Sequence, residues 1–325
     1  MDTRIKRREA DLATAAFGRD MPDLLQRIYL GRGVTNDSQI QQTLNDLAPP
    51  GSLKGLADAT DILEAAMRQQ QRVLIVGDFD ADGATSCTVA VLALRAMGLQ
   101  NVDFLVPNRF DYGYGLSPEI VAVAAVQKPQ LIITVDNGIS SIDGVAAARA
   151  LGIDVLVTDH HLPGNILPDA NAIVNPNQRG CEFPSKNLAG VGGIFYVMSA
   201  LRARLRDISW FQNQGLGEPN MASYLDLVAL GTVADVVPLD SNNRILVRQG
   251  LQRIRAGRAR PGLLALLELG GRQRERIVAS DLGFAVGPRL NAAGRLDDMS
   301  LGIQCLLCDS EELAREMALE LDDFN

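Results

Sequence analysis

The sequence predicts an α/β protein, in which a parallel sheet with flanking helices is preceded by a helical N-terminal segment and followed by a mostly helical one. Three observations carry this reading. From Arg72 onward, short runs rich in β-branched residues alternate with stretches of helical period, the pattern of a parallel sheet with crossover helices. Before that point and after about Ala189, apolar residues recur at spacings of three and four. The 325 residues, 47% hydrophobic and 22% charged, suffice for a full core, and no apolar run reaches membrane-spanning length.

Residues 1–70 open with "MDTRIKRREADLATAAF", which has no apolar stretch and cleavage site of a secretory signal. Arg4, Lys6, Arg7 and Arg8 there read as a solvated tail. "MPDLLQRIYLGRG" and "DSQIQQTLNDL" have helical spacing, and "LAPPGSLKGL" breaks it with proline and glycine. Residues 71–188 form the α/β core. "RVLIVG" is a strand and "TSCTVAVLALRAMG" a helix stopped by Gly98. "VDFLVP" is a strand, followed by the helix "SPEIVAVAAVQ" with Ser117 as N-cap and Pro118 in its first turn. "LIITVD", "SSIDGVAAARALG" and "IDVLVTD" follow as strand, helix and strand. Residues 189–325 return to helices in "GVGGIFYVMSALRARL", "MASYLDLVALGTVADVV", "RILVRQGLQRIRAG" and "PGLLALLELGG". The glycines of "LAGVGG" fit either a phosphate at a helix start or close packing.

The four cysteines suit a reducing cytosol, so a cytoplasmic protein is expected. Cys305 and Cys308 form a C-x-x-C inside an apolar helical stretch, with neither a second pair nor a nearby histidine to complete a zinc site. The formal net charge of −8 runs against a basic-faced nucleic-acid binder, although a metal site would itself contribute aspartates.

Those aspartates are placed tellingly. "RVLIVGDFDADGATS" carries Asp78, Asp80 and Asp82 just past the first strand. An EF-hand loop would need a glutamate where Val89 stands and a helix where the strand lies. Asp136, in "TVDNG", and Asp159, in "VTDHH" with His160 and His161, end two further strands. All three clusters should meet at the carboxyl-terminal edge of one sheet. Asp235 lies in the apolar run "LGTVADVVPL", where a charge is costly unless paired or metal-bound. Taken singly, each aspartate reads as a helix cap. Together they repel unless cations lie between them, and oxygen ligands with imidazole suit Mn2+ or Mg2+.

"DFDADGATS", "TVDNGIS", "VTDHH" and "ALGTVADVVPL" resemble, in order and spacing, the four motifs of the DHH phosphoesterase superfamily. "VPNRFDYGYGLSPE", "AIVNPNQ", "LAGVG", "NRILVRQGLQRI" and "DLGFAVGPRLNAAGRLDD" are similar to its single-strand-specific 5′ exonuclease branch, from about Leu24 to the chain end. The resemblance implies two divalent ions, Mn2+ or Mg2+. Asp80 and Asp82 would each hold one, Asp136 would bridge them, and His160 and Asp235 would complete one shell each. Asp136, His160 and His161 would be the catalytic residues, with His161 at the substrate phosphate or orienting a neighbour. Asp78 and Asp159 would support the ligands. Arg295 would contact the scissile phosphate with Asn291 and Arg289 beside it, and Arg109 would bind the 5′-terminal phosphate. Val76 stands where the manganese pyrophosphatases of the superfamily have a histidine, which argues against that activity.

The activity so implied is hydrolysis of single-stranded DNA from its 5′ end to nucleoside 5′-monophosphates, in repair and recombination. The alternative is a DHH phosphodiesterase acting on short oligonucleotides or cyclic dinucleotides. An aspartyl-phosphate phosphatase would leave the paired histidines unexplained, and a non-catalytic metal module is the remaining reading. The partners implied are single-stranded DNA with a 5′ end, a helicase and a single-strand-binding protein, with no membrane and an open oligomeric state. Fuller relatives continue into a GGGH-type motif and an oligonucleotide-binding barrel. Neither lies in these residues, so a catalytic core with an intact metal site and weakened strand binding is expected. Tyr112, Tyr114, Trp210 and Phe211 are candidate base platforms, with core packing the commoner role.

Overall fold

The runs "VLIVG" and "LIITV" become strands buried at every residue, as expected where helices cover both faces of a sheet. They belong to a computed structural model that describes residues 10–18, 20–40, 43–106, 115–296 and 299–325, without the side chains of residues 295 and 296. Two compact units are present, Met1–Leu47 and Ala48–Asn325. The first holds helix α1 (Asp23–Leu30), short 3-10 turns and a bridge between Ala16 and Asn36. "DSQIQQTLNDL" is not an α-helix among its described residues but contributes turns at Asp37–Gln39 and Leu44–Asp46. The reason is local side-chain bonding: Asn36 accepts from the Gln39 amide and Asp46 from the Thr43 amide, which competes with a continuing helix.

The second unit contains α2 (Leu56–Gln69), which the sequence reading grouped with the N-terminal segment, and the sheet. Strands β1 (Val73–Gly77), β2 (Val102–Leu105), β3 (Leu131–Val135), β4 (Asp154–Thr158) and β5 (Ala172–Val174) run parallel in the order β2-β1-β3-β4-β5. Gly77 pairs with Val135, and Val135 with Thr158, so β1, β3 and β4 end level. The order reverses at β1, which opens a crevice past the carboxyl ends of β1 and β3.

One face packs Leu74, Val76, Ile132, Val155 and Val157 against α4 (Pro118–Ala125) and α5 (Ile142–Ala150). The other is covered by α3 (Ala81–Ala96), which also packs on α6 (Gly190–Asp207) and, beyond the short α7 (Trp210–Gln214), on α8 (Leu225–Ala234). Because α3 is buried on nearly all sides, its sequence shows no solvent-facing charged stripe, and Asp82, Thr85, Ser86 and Thr88 are buried with its apolar residues. Trp210 and Phe211 are buried here, and the indole donates to the Met97 carbonyl, so both pack the core. The Gly98 stop and the Ser117 cap are both present: Gly98 has φ +106° and Ser117 accepts from the Ile120 amide.

Helices α9 (Ser241–Arg255), α10 (Pro261–Leu269), α11 (Gly287–Leu296), α12 (Ser300–Leu307) and α13 (Glu311–Asp323) complete the unit. A π-helical turn, Leu282–Val286, leads into α11. The apolar "LGIQCLLCDSEELA" splits into two helices because Ser310 caps the second through the Leu313 amide. All four cysteines are free, and Cys305 is buried in packing. Among the described residues, no helix is long and apolar enough to cross a membrane.

Candidate metal centre

The site begins with a carboxylate anchored by a helix end. Asp82, in the first turn of α3 and wholly buried, accepts the Gly190 amide at 2.7 Å and the Val191 amide at 3.0 Å. These are orphan donors at the start of α6, where a negative charge is favoured. Gly190 of "LAGVGG" therefore serves close approach, and the anion at this helix start is Asp82. A Cβ on Gly190 would lie 2.7 Å from the Asp136 Cβ. A Cβ on Gly231 of α8 would lie 2.7 Å from Asp82 Oδ1. Asp80 is the N-cap of α3 and accepts the Gly83 amide at 2.9 Å, while Asp78 accepts the Phe79 amide at 2.8 Å.

Asp136 ends β3 with φ +61°, a conformation that Asp tolerates better than most residues, and its amide donates to the Thr158 carbonyl. Its neighbour Asn137 donates to the carbonyls of Val76 and Val135, tying the ends of β1 and β3 together. After β4, Asp159 is spent on its surroundings. Its Oδ1 accepts the amides of His160 and His161 at 2.7 and 3.1 Å and lies 2.7 Å from His161 Nδ1, while Oδ2 accepts the Ile139 amide. Asp159 thus orients the histidine pair. Asp235 caps the carboxyl end of α8.

These pieces converge on His160. Its Nε2 lies 3.0 Å from Asp136 Oδ1, 3.6 Å from Asp235 Oδ2 and 3.9 Å from Asp82 Oδ2. His160 Nε2 and Asp235 Oδ2 are buried and make no hydrogen bond among the described residues. Among the described residues, three groups have ligand atoms close enough together to hold a metal: Asp82, His160 and Asp235; Asp78, Asp80 and Asp136; and Asp136, His160 and His161. The grouping differs from the sequence expectation in two ways. His160 and Asp235 share a group, and two residues not expected as ligands, Asp78 and His161, stand among the potential ones.

Burial, then repulsion from neighbouring carboxylates, drives Asp82 and Asp136 well above the ordinary carboxylate range. The same causes push Asp78 and Asp235 up to about 7. Burial, with His161 adding to it, pushes His160 down to about 4, which leaves its imidazole neutral and able to donate a lone pair. Burial raises Asp159, but the His161 hydrogen bond and the amides outweigh it, and the net shift is downward. His161 is raised, chiefly by that same hydrogen bond. Buried acids that resist ionisation beside an unbonded imidazole nitrogen fit a divalent cation with oxygen and imidazole ligands.

His161 and Asp159 also line a cavity of about 560 Å³ that continues along Gly138, Ser140, Ser141 and Ser117. The predicted phosphate residues fare unequally. Asn291 of α11 accepts the Ala81 amide, which brings α11 against the start of α3. Arg289 donates to Asp322 and to the Ala285 carbonyl, so its guanidinium is already engaged. The backbone of Arg295 lies in α11, but its side chain falls outside the described residues, as do Arg109, Tyr112 and Tyr114 entirely.

Residues 72–232 match the DHH family, N-terminal domain. The single-stranded-DNA-specific exonuclease RecJ of Salmonella typhimurium is 59% identical over 321 residues, covering 99% of this chain and 56% of that protein. The chain therefore spans about half the length of the curated relatives it matches. A structure of exonuclease RecJ bound to manganese superposes with a TM-score of 0.73 at 36% identity, over 84% of this chain and 66% of that one. RecJ from Thermus thermophilus in complex with Mn2+ gives a TM-score of 0.75 at 32% identity, over 96% of this chain and 45% of that one.

Proposed function

The chain belongs to the DHH family, and on that premise we propose that it hydrolyses single-stranded DNA from the 5′ end to nucleoside 5′-monophosphates, with two divalent ions, Mn2+ or Mg2+. The observation that carries the proposal is the convergence of Asp82, Asp136 and Asp235, from three separate elements, on the unbonded His160 Nε2. His160, Asp82 and Asp235 would hold one ion, Asp78 and Asp80 the other, and Asp136 would face both. When bound, such ions would lower the pKa of a water and offset charge on the attacking and leaving oxygens.

The protein's own residues do the rest. Asp159 fixes His161 through Nδ1, and the His161 side chain is 45% exposed. The raised pKa favours imidazolium there, a charged donor suited to a phosphate oxygen. The cavity beside it, with its serines and the Gly138 turn, offers room for the end of a strand. Arg295 and Arg109 remain the proposed phosphate contacts. Residues 71–188 would carry three motifs and residues 189–325 complete the same catalytic domain after an N-terminal segment at 1–70. A cytoplasmic site of action beside a helicase and a single-strand-binding protein, in repair and recombination, belongs to the same proposal. The free cysteines suit a reducing compartment.

The test is digestion of end-labelled single-stranded DNA with Mn2+, comparing 5′ and 3′ labels, with Asp136→Ala as control. The expected result is immediate release of the 5′ label as mononucleotide. Cleavage confined to dinucleotides, cyclic or linear, would replace this reading with the short-substrate one.

A further inference from the structure

His160 and His161 are held by their carbonyl groups as well as by their amides, and the residues responsible had no role in the sequence reading. Asn177 Nδ2 donates to the His160 carbonyl at 2.6 Å and to the Lys186 carbonyl at 3.2 Å. Asn175 Nδ2 donates to the His161 carbonyl at 3.0 Å. The two side chains act as a unit, because Asn175 Oδ1 accepts the Asn177 amide at 2.7 Å. Asn175 is fully buried and Asn177 half-buried, just past the end of β5. From the other side, Asp159 Oδ1 accepts both histidine amides. Both N–H and both C=O groups of the pair are therefore bound by three side chains.

We infer that Asn177 and Asn175 are positioning residues for the metal centre. They fix the peptide of His160 and so set where its Nε2 stands relative to Asp82, Asp136 and Asp235. Nε2 lies at the far end of the side chain, so a small rotation of the peptide is amplified there. The amides of both asparagines are spent on backbone, so they act through the histidines. Supporting groups of this kind hold ligand geometry at metal sites. The inference rests on the reading of the cluster as a two-ion centre.

Asn177→Leu removes the donors at nearly constant volume, and Asn177→Ala removes them without added bulk. Each would be titrated with Mn2+ in the absence of DNA, following free Mn2+ by electron paramagnetic resonance, alongside metal-free melting and single-strand digestion. The expected result is a folded protein whose Mn2+ Kd is about tenfold weaker or more. Its kcat should fall while KM stays within about twofold. In a His160→Ala background, Asn177→Leu should add almost no further loss of Mn2+ affinity, since it works through that side chain. Unchanged Mn2+ affinity in folded variants, or losses that simply add to that of His160→Ala, would overturn the inference. So would loss of the fold in both variants, because the asparagines would then be holding the chain rather than the histidine. A wild-type chain that binds Mn2+ but releases nothing from single-stranded DNA would remove the nuclease reading and leave this inference standing.

Discussion

The two groups of proposed ligands at the end of the sheet are built on different plans. Asp78 and Asp80 sit two residues apart on the loop leaving β1, and only Asp136 joins them from elsewhere. Asp82, His160 and Asp235 come from the start of α3, the loop after β4 and the end of α8, and are brought together only by the tertiary fold. The first group is all oxygen and mostly local. The second includes an imidazole and depends on the α6 amides that grip Asp82. Hard oxygen groups accept Mg2+ readily, whereas a nitrogen ligand tilts a site toward Mn2+. The pair of sites should thus differ in both metal preference and sensitivity to distant mutation.

The largest effect is expected where the groups meet. Asp136 belongs to the group with Asp78 and Asp80 and lies 3.0 Å from His160 Nε2 of the other, so Asp136→Ala should disturb both and cut single-strand digestion by about a thousandfold, measured as initial rate at saturating Mn2+. Next come substitutions that separate the groups. His160→Ala should weaken Mn2+ binding by about 10–100-fold and erase any preference over Mg2+. Asp78→Asn should weaken both metals alike by about tenfold, as read by calorimetric titration. Equal metal profiles for the two variants would abolish the distinction.

A smaller effect tracks pH. The folded-state pKa values of Asp78 and Asp235, at about 7, lie above the ordinary value of 3.8. Their contribution to metal-free stability is therefore fully present below pH ~4 and is lost as pH rises through about 7. Cations compete with those protons, so the rise in Tm produced by Mn2+ should grow between pH ~5 and ~8. A rise that is flat or shrinks across that window would count against the assignment. The smallest effect lies outside both groups. Arg289 pairs with Asp322 and donates to the Ala285 carbonyl, so Arg289→Ala should cost about 1–3 kcal/mol in denaturant unfolding and leave Mn2+ affinity unchanged.

The same contrast explains what could be read from sequence. Asp78 and Asp80 follow an apolar strand directly, and β1, β3 and β4 are continuous apolar runs, so the sheet and its acidic ends were legible. The partnership of Asp82 with Asp235 was not, because it is set by close approach at Gly190 and Gly231, where any side chain would collide. "LAGVGG" was equally compatible with a phosphate, since a helix start attracts any anion and only the fold says which one arrives. Strand β5 is three residues long, too short for a period to show, and so Asn175 and Asn177 beyond it were seen only as part of a resemblance. Asn36 and Asp46 cut "DSQIQQTLNDL" into turns by bonds that apolar spacing does not record.

The proposed site requires an ion in each of the two groups, with Asp136 reaching both. Anomalous diffraction from crystals soaked in Mn2+ addresses it directly. Two peaks are expected, one among Asp82, His160 and Asp235 and the other among Asp78 and Asp80, with Asp136 reaching both. A single peak, no peak, or carboxylates dispersed away from His160 would contradict it.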